Sequence, residues 1–426
     1  MCKAAFGRSR EDLARPATVW VVSYFYPPDF GGGATRAQNL ATMTQEQASS
    51  VLVVTTFPQY PKGHTWDKRY SGKCLLHETV AGVRTLRLRM PPLPHRGLLN
   101  RLIVFSFFTM AAIMSIPLMR KLSRPPDVVI AITPVLFGCI PSYVIAKLYR
   151  AKLVLDMPDL WPEQLGVVRG QFTSTLKSLG GLLARWIYKL PDFVTAAGDR
   201  SAEELRSKYR ISRVAVLYSG VDTARFHPID KQEARAHLLQ ANVLPPSMKR
   251  SRIVLYSGVI GPSYALFDLV NAIGNFRDRN VVLLLVGDGE DRDELQHHIS
   301  RIEATNIVLA KPRPREELPK FICAADLCLV PSMSPEVTTY AVPTKFFEYL
   351  ACGKPVACDS SSGVVTSLVR QLGIGVVVDA GQLGKVLSEL SEKELQLMGD
   401  KARLAASRFS LDSLSQTMGE IIRRIQ

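Results

Sequence analysis

Lys345 and Glu348 stand one helical turn apart within the run VPSMSPEVTTYAVPTKFFEYLACGKPVACDS. The run reads as strand, loop, helix and strand within about thirty residues, the size of a βαβ unit. Parallel sheets aim their ligand loops from the carboxyl ends of the strands, so the loop after Pro331 and the helix start near Pro343 face a ligand. A cation near a helix start neutralises a diphosphate, and an ionised carboxylate one turn on accepts strong hydrogen bonds from a ribose diol. The same spacing also describes an i,i+3 surface pair of little energetic worth, and pattern alone favours that plainer reading.

A second cluster, Gly31, Gly32 and Gly33, lies between an apolar strand pattern from Thr18 and a helical pattern from Ala34. Missing side chains there let a diphosphate approach backbone N–H groups at a helix N-terminus, and Arg36 could reach the same anion. Glycine clusters also make plain turns. The run is not G-x-G-x-x-G, and no acidic residue ends the next strand SVLVVTTF, which disfavours a nicotinamide site. In VLDMPDLWPEQ, Asp156 and Asp159 follow a buried strand at its carboxyl end. A carboxylate there could deprotonate or orient an acceptor hydroxyl. Asp159 equally suits an N-cap for a helix from Leu160 or Trp161, and Asp156 suits a structural role better than a catalytic one.

The seven histidines contain no H-E-x-x-H or other metal spacing, so no metal site is expected. The seven cysteines, Cys2, Cys74, Cys139, Cys323, Cys328, Cys352 and Cys358, are odd in number and lack CxxC spacing, which fits a reducing compartment. A formal charge of +15 suits nucleic acid, an anionic membrane or phosphorylated small molecules. No zinc-finger spacing or RNP-like aromatic run accompanies it, so nucleic acid is not an expected partner. The first fifteen residues lack the apolar stretch of a secretory signal, and a cytoplasmic start is expected.

The elements that must position these residues come in two series. TVWVVS, SVLVVTTF, DVVIAI, KLVLDM, DFVTAA and VAVLYS alternate with helical stretches, then RIVLYSG, NVVLLLVGDG, NIVLA, LCLVPS, KPVACDS and GIGVVVD do so again. Alternation of this kind predicts parallel sheets, and 426 residues suit two α/β domains of roughly 200 residues each. The expected division is a tail over 1–17, a first domain over 18–228, a second over 229–405, and a C-terminal helix over 406–426 able to cross back to the first.

The Lys345 segment resembles the signature of retaining glycosyltransferase family 4, in the branch carrying P-x-K-x-x-E-Y-x-A-x-G-K-P-V. Pro343, Lys345, Glu348, Tyr349, Ala351, Gly353, Lys354, Pro355 and Val356 match it. YFYPPDFGGGATRAQNLA, VVTTFPQYPKG, LDMPDLWPEQLG, YSGVDTARFHP and LLLVGDGEDRDEL resemble other motifs of that branch. The resemblance implies a GT-B fold, two Rossmann-like domains facing a central cleft. It also implies metal-independent transfer of a sugar, with retention of configuration, from a nucleoside-diphosphate sugar to a hydroxyl. No resident cofactor is implied. Members of this branch often extend polyprenyl-diphosphate-linked glycans, which implies such an acceptor. Donor contacts are expected from Gly258 and Gly287 at strand ends and from Pro343, Lys345 and Glu348.

Three departures bear on the site. The first of the family's two glutamates is Tyr340 here, with Glu336 as a substitute. The diphosphate-binding Arg and Lys positions are Val259 and Tyr264, so the role passes to Lys345, with Arg313 or Arg315 as secondary candidates. The linker asparagine is Ser219. Two other functions suit the same scaffold, a nucleotide-sugar epimerase or hydrolase and a non-catalytic sugar-nucleotide-binding subunit.

One segment lies outside these motifs. LIVFSFFTMAAIMSIPLM, Leu102 to Met119, carries no charge and is flanked by arginines and lysine. It has the minimum length to span a bilayer, but a span here would split the first sheet, and a buried core helix is a serious alternative. The expectation is a helix lying in the cytoplasmic leaflet, with the arginines of RTLRLRMPPLPHRGLLNR on anionic headgroups, which makes the protein peripheral on the inner face of the cell membrane.

Overall fold

The computed structural model describes residues 16–426 except Phe30, 60–62, Trp66, 94–97, 133–135, 161–173, 277–279, 332–338, Ala341 and Ser362. Runs of β-branched residues build its first sheet. β1 (Thr18–Ser23) is buried at every position, and β2 (Ser50–Thr56), β5 (Val128–Ile132), β6 (Lys152–Met157) and β7 (Phe193–Ala196) are buried almost throughout. Such continuous apolar strands belong to a parallel sheet covered on both faces. With β3 (Leu75–Val80), β4 (Val83–Leu88) and β8 (Val214–Val216) the order is β3-β4-β2-β1-β5-β6-β7-β8. Only β3 is antiparallel. It joins β4 through Ala81 and Gly82, both at positive φ, the geometry a two-residue hairpin needs.

The helices of this domain are α1 (Gly32–Gln47), α2 (Leu98–Met114), α3 (Ile116–Leu122), α4 (Leu136–Tyr149), α5 (Ser174–Ile187) and α6 (Asp199–Ser207). After them α7 (Lys231–Gln240) precedes a second sheet made of β9 (Arg252–Ser257), β10 (Val281–Val286), β11 (Ile307–Ala310), β12 (Leu327–Val330), β13 (Val356–Cys358) and β14 (Gly375–Val377). Its order is β11-β10-β9-β12-β13-β14, parallel throughout. Around it lie α8 (Leu266–Gly274), α9 (Arg292–Arg301), α10 (Leu318–Ala324), α11 (Thr344–Ala351), α12 (Val364–Leu372), α13 (Leu383–Glu389) and α14 (Glu392–Ala406). Each sheet has an apolar cluster on either face.

The last helix, α15 (Leu411–Ile425), packs on α1. Leu411, Leu414, Met418, Ile421, Ile422 and Ile425 recur at helical spacing and bury one stripe in the cluster that holds Val19, Val21 and Leu40. The helical pattern from Glu392 is therefore two helices, broken at 407–410. Gly220 in the linker lies against α15, and an added Cβ would sit 2.9 Å from Leu411.

The strand reading missed β3 and β4, and this corrects one expectation. RTLRL forms most of β4, so Arg87 does not line a membrane face. Arg87 is fully buried, pairs with Glu78 and donates to the carbonyls of Pro27 and Thr56. Leu102–Met119 is likewise neither one helix nor wholly buried. It bends by 54° at Ser115, where α3 starts with Pro117 in its first turn. Val104, Phe108 and Ala112, four residues apart, enter the core. Leu99, Ile103, Phe107, Met110 and Met114 stay exposed on the other side. No single helix among the described residues is long and apolar enough to cross a membrane; α2 and α3 together pass by length and composition alone.

Candidate active site

At the carboxyl end of the second sheet, β9 and β10 run on into Gly258 and Gly287, whose backbones nearly touch. A Cβ on Gly287 would fall 1.8 Å from the Gly258 carbonyl oxygen. Gly258 itself has φ 146°, and a Cβ there would lie 2.5 Å from Lys345 Nζ. Only glycine leaves room for that ammonium.

Lys345 is delivered by α11, which starts after Pro343, an extended N-cap residue, and is buried along most of its length. Its Nζ lies 3.9 Å from the ring centroid of Tyr256 and 4.3 Å from that of Tyr264. Nζ is buried and has no hydrogen-bond partner among the described residues. Ring faces attract a cation but do not replace water's hydrogen bonds. Burial therefore pushes the Lys345 pKa down to about 7, opposed by the nearby Glu348 carboxylate. Such a site gains when an anion arrives.

Glu348 follows on the same helix, and its carboxylate accepts from Arg315 Nη2 at 2.7 Å. Arg315 Nη1 donates to Thr35 Oγ1 at 2.7 Å, so this guanidinium spans the cleft from the second domain to α1. The two helix starts also meet: a Cβ on Gly32 would lie 3.8 Å from Thr344 Oγ1. Gly31, with φ 104°, caps α1 without a side-chain acceptor, and no acidic residue occupies its first turn. First-turn N–H groups and the helix dipole thus point toward the region that Lys345 borders from the other side.

Residues 31–220 match the family described as "Glycosyl transferase 4-like domain", and residues 245–404 match "Glycosyl transferases group 1". The chain belongs to the group 1 glycosyltransferases. The putative colanic acid biosynthesis glycosyl transferase WcaI of Escherichia coli K12 is 23% identical over 340 residues, 79% of this chain and 81% of that one. D-inositol 3-phosphate glycosyltransferase of Salinispora tropica is 30% identical over 242 residues, covering 52% of this chain and 48% of that relative. Among solved structures, sucrose-phosphate synthase from Thermosynechococcus elongatus superposes with TM-score 0.75 at 17% identity, covering 96% and 98% of the two chains. Anabaena HepE in complex with UDP and glucose gives 0.68 at 16%, covering 96% and 100%. The fold is GT-B.

In this group 1 glycosyltransferase the structure brings Gly31, Gly32, Gly258, Gly287, Pro343, Lys345 and Glu348 to facing sides of the cleft. Gly33 packs instead against Phe25. Arg36 does not face the cleft, which corrects its assignment to an anion. It is 1% exposed and bonds Asp156 through Nε at 2.9 Å and Nη2 at 2.5 Å. Asp156, fully buried, also accepts from Thr195 Oγ1 at 2.6 Å, so it is no acceptor contact and holds α1 on β6 and β7. Tyr340 turns from the donor side: its ring packs on the first domain's core, and its carbonyl accepts from Ser201 Oγ at 2.9 Å. Arg313 sits over the Phe321 ring and 3.8 Å from Glu317, leaving the site to Arg315. Asp159 is partly exposed, two residues beyond β6. Glu336 lies outside the described residues. Tyr256 and Thr35 were not anticipated; a tyrosine in a buried strand and a threonine in a helix carry no sequence signal of their contacts.

Proposed function

We propose that this group 1 glycosyltransferase moves a sugar from a nucleoside diphosphate to a hydroxyl of a lipid-linked glycan, with retention and without a metal ion. The observation that carries the reading is the buried Lys345 ammonium, without a hydrogen-bond partner among the described residues, at the strand ends of the second domain. As the anomeric C–O bond breaks, its electron pair passes to the diphosphate. Lys345 and the α1 N–H groups stabilise that developing charge more than the ground state. The acceptor oxygen bonds the anomeric carbon from the same face, Asp159 orients the hydroxyl, and its proton leaves with the departing phosphate oxygen. Glu348 accepts from the ribose hydroxyls once Arg315 yields one of its oxygens. WcaI, named for colanic acid biosynthesis, supports a glycan acceptor.

Glu348→Gln tests the donor side. The fold should survive, and the donor KM should rise about 10- to 100-fold as a charged acceptor is lost from a buried contact. Steady-state kinetics with the donor varied would read this, and unchanged kinetics would remove Glu348 from the site. A thermal-shift panel of UDP-, GDP- and dTDP-sugars identifies the nucleotide, since a ligand of the folded state raises Tm. NMR of the product's anomeric proton and activity in EDTA test retention and metal independence.

The lipid-linked acceptor and a peripheral position on the inner face of the cell membrane rest on α2. Its exposed apolar face, and the absence of any acidic residue from α2, α3, α4 and α5, suit an anionic leaflet. Phe105 and Phe108 stack on Tyr24 in the core, so the informative changes are at Phe107, Met110 and Met114. Serine at those three positions should abolish flotation with anionic liposomes while leaving Tm within a few degrees. Wild-type protein that stays with the soluble fraction would end the membrane reading.

A further inference from the structure

At the amino ends of β1, β2 and β4, opposite the cleft, lies an open pocket of about 560 Å³ lined by Arg84, Arg120, Lys121, Arg124, Ser50 and Ser123. We propose that this pocket binds a phosphate group, at a site separate from the donor site. Six residues of β1 put it about 20 Å from the glycine loop, so it does not rest on the donor reading.

Arg84 is the fixed element. Strand β4 carries it, and it donates to the Leu122 carbonyl at 2.7 Å and to the Ser50 hydroxyl, which pins the end of α3 over the start of β2. That contact places Arg120, Lys121 and Arg124 around the same opening. None of the four cations has an ion-pair partner among the described residues. Asp127, at the pocket's edge, is engaged by the Thr18 backbone N–H at 2.9 Å. Four cations therefore converge against one occupied carboxylate. The second observation is Ser123, 7% exposed, whose hydroxyl is buried and lacks a hydrogen-bond partner among the described residues. A buried hydroxyl left unpaired is costly, and a small turn toward a bound phosphate oxygen would satisfy it. Fixed guanidinium, surrounding cations and an unsatisfied donor match a tetrahedral oxyanion.

The phosphate belongs to either a soluble phosphorylated molecule or a lipid headgroup, and two arms separate them. In the first, inorganic phosphate is titrated against the full chain at constant ionic strength and followed by Tm and 31P NMR. The triple variant R120Q/K121Q/R124Q should bind at least tenfold more weakly and S123A about threefold more weakly, with transferase activity unchanged. The second arm is flotation with phosphatidylcholine vesicles with and without phosphatidylglycerol. Loss in the first arm alone assigns a soluble ligand, and loss in both assigns a headgroup. R200Q/R210Q/R213Q removes the same charge from exposed positions elsewhere. Equal losses in that control and in the pocket triple, or phosphate affinity indifferent to both the triple and S123A, would overturn the site.

Discussion

Replacing Lys345 with methionine should lower turnover about 10²- to 10³-fold, the usual cost of removing one fixed charge-stabilising donor, while stabilising the ligand-free protein. The two effects share a cause. The folded chain holds this ammonium in a dry site where its proton affinity falls to about 7, whereas the unfolded chain restores the ordinary lysine value. Each tenfold difference in proton affinity is about 1.4 kcal/mol, so the buried charge costs the folded state a few kcal/mol at neutral pH. Between about pH 7 and the usual lysine range the unfolded state binds more protons, so wild-type stability should rise with pH there. The methionine variant's advantage in Tm should be largest below pH 7 and shrink above it. Donor affinity of the wild type should fall as pH climbs past 7, because the diphosphate then has to recruit a proton to Lys345. Calorimetric melts from pH 6 to 10 and donor titrations over the same range would check both. A variant that melts lower than wild type at pH 6 would contradict the account, as would a KM effect without a turnover effect.

Asp156→Asn should destabilise the first domain by about 3–5 kcal/mol, the cost of leaving a buried charge without its partner. Asparagine leaves Arg36 one amide oxygen but no counter-charge, and the guanidinium's other contact is Ser219 Oγ, 3.5 Å away. The loss should spread to the linker, because Asn39 on the same helix donates to the carbonyls of Ser219 and Gly220. The double variant R36M/D156N should regain much of the stability, since removing both charges leaves no unpaired ion. Urea unfolding of the four proteins would measure the coupling. An additive double variant would mean that the pair contributes nothing as a pair.

Strands were the most legible part of the chain. Fully buried parallel strands must be continuously apolar, and TVWVVS or VVLLLV can hardly be anything else. Edge strands lack that signature: LLHETV alternates half-exposed and exposed positions beside a basic partner, a pattern that does not mark a strand. The site split along a similar line. Lys345 and Glu348 were legible through the contiguous family motif that holds them, since their spacing alone fitted a surface pair equally well. Arg36 was misread because its partner, Asp156, lies 120 residues away. A local pattern shows that a charge is present without showing what neutralises it. The apolar stretch from Leu102 could be assigned a helix but not a face, since residues of one character on all sides carry no direction.

The return of α15 to the first domain also sets an order on biosynthesis. Leu411 to Ile425 supply one wall of the cluster that contains β1, so the first domain stays incomplete on the ribosome until the second has been made. A fragment ending near residue 228 would expose that wall to solvent as an apolar patch. Isolated first domain should therefore need residues 411–425 fused or supplied in trans to remain monomeric, and the second domain, whose two apolar clusters contain no residue of α15, should be the half that folds first.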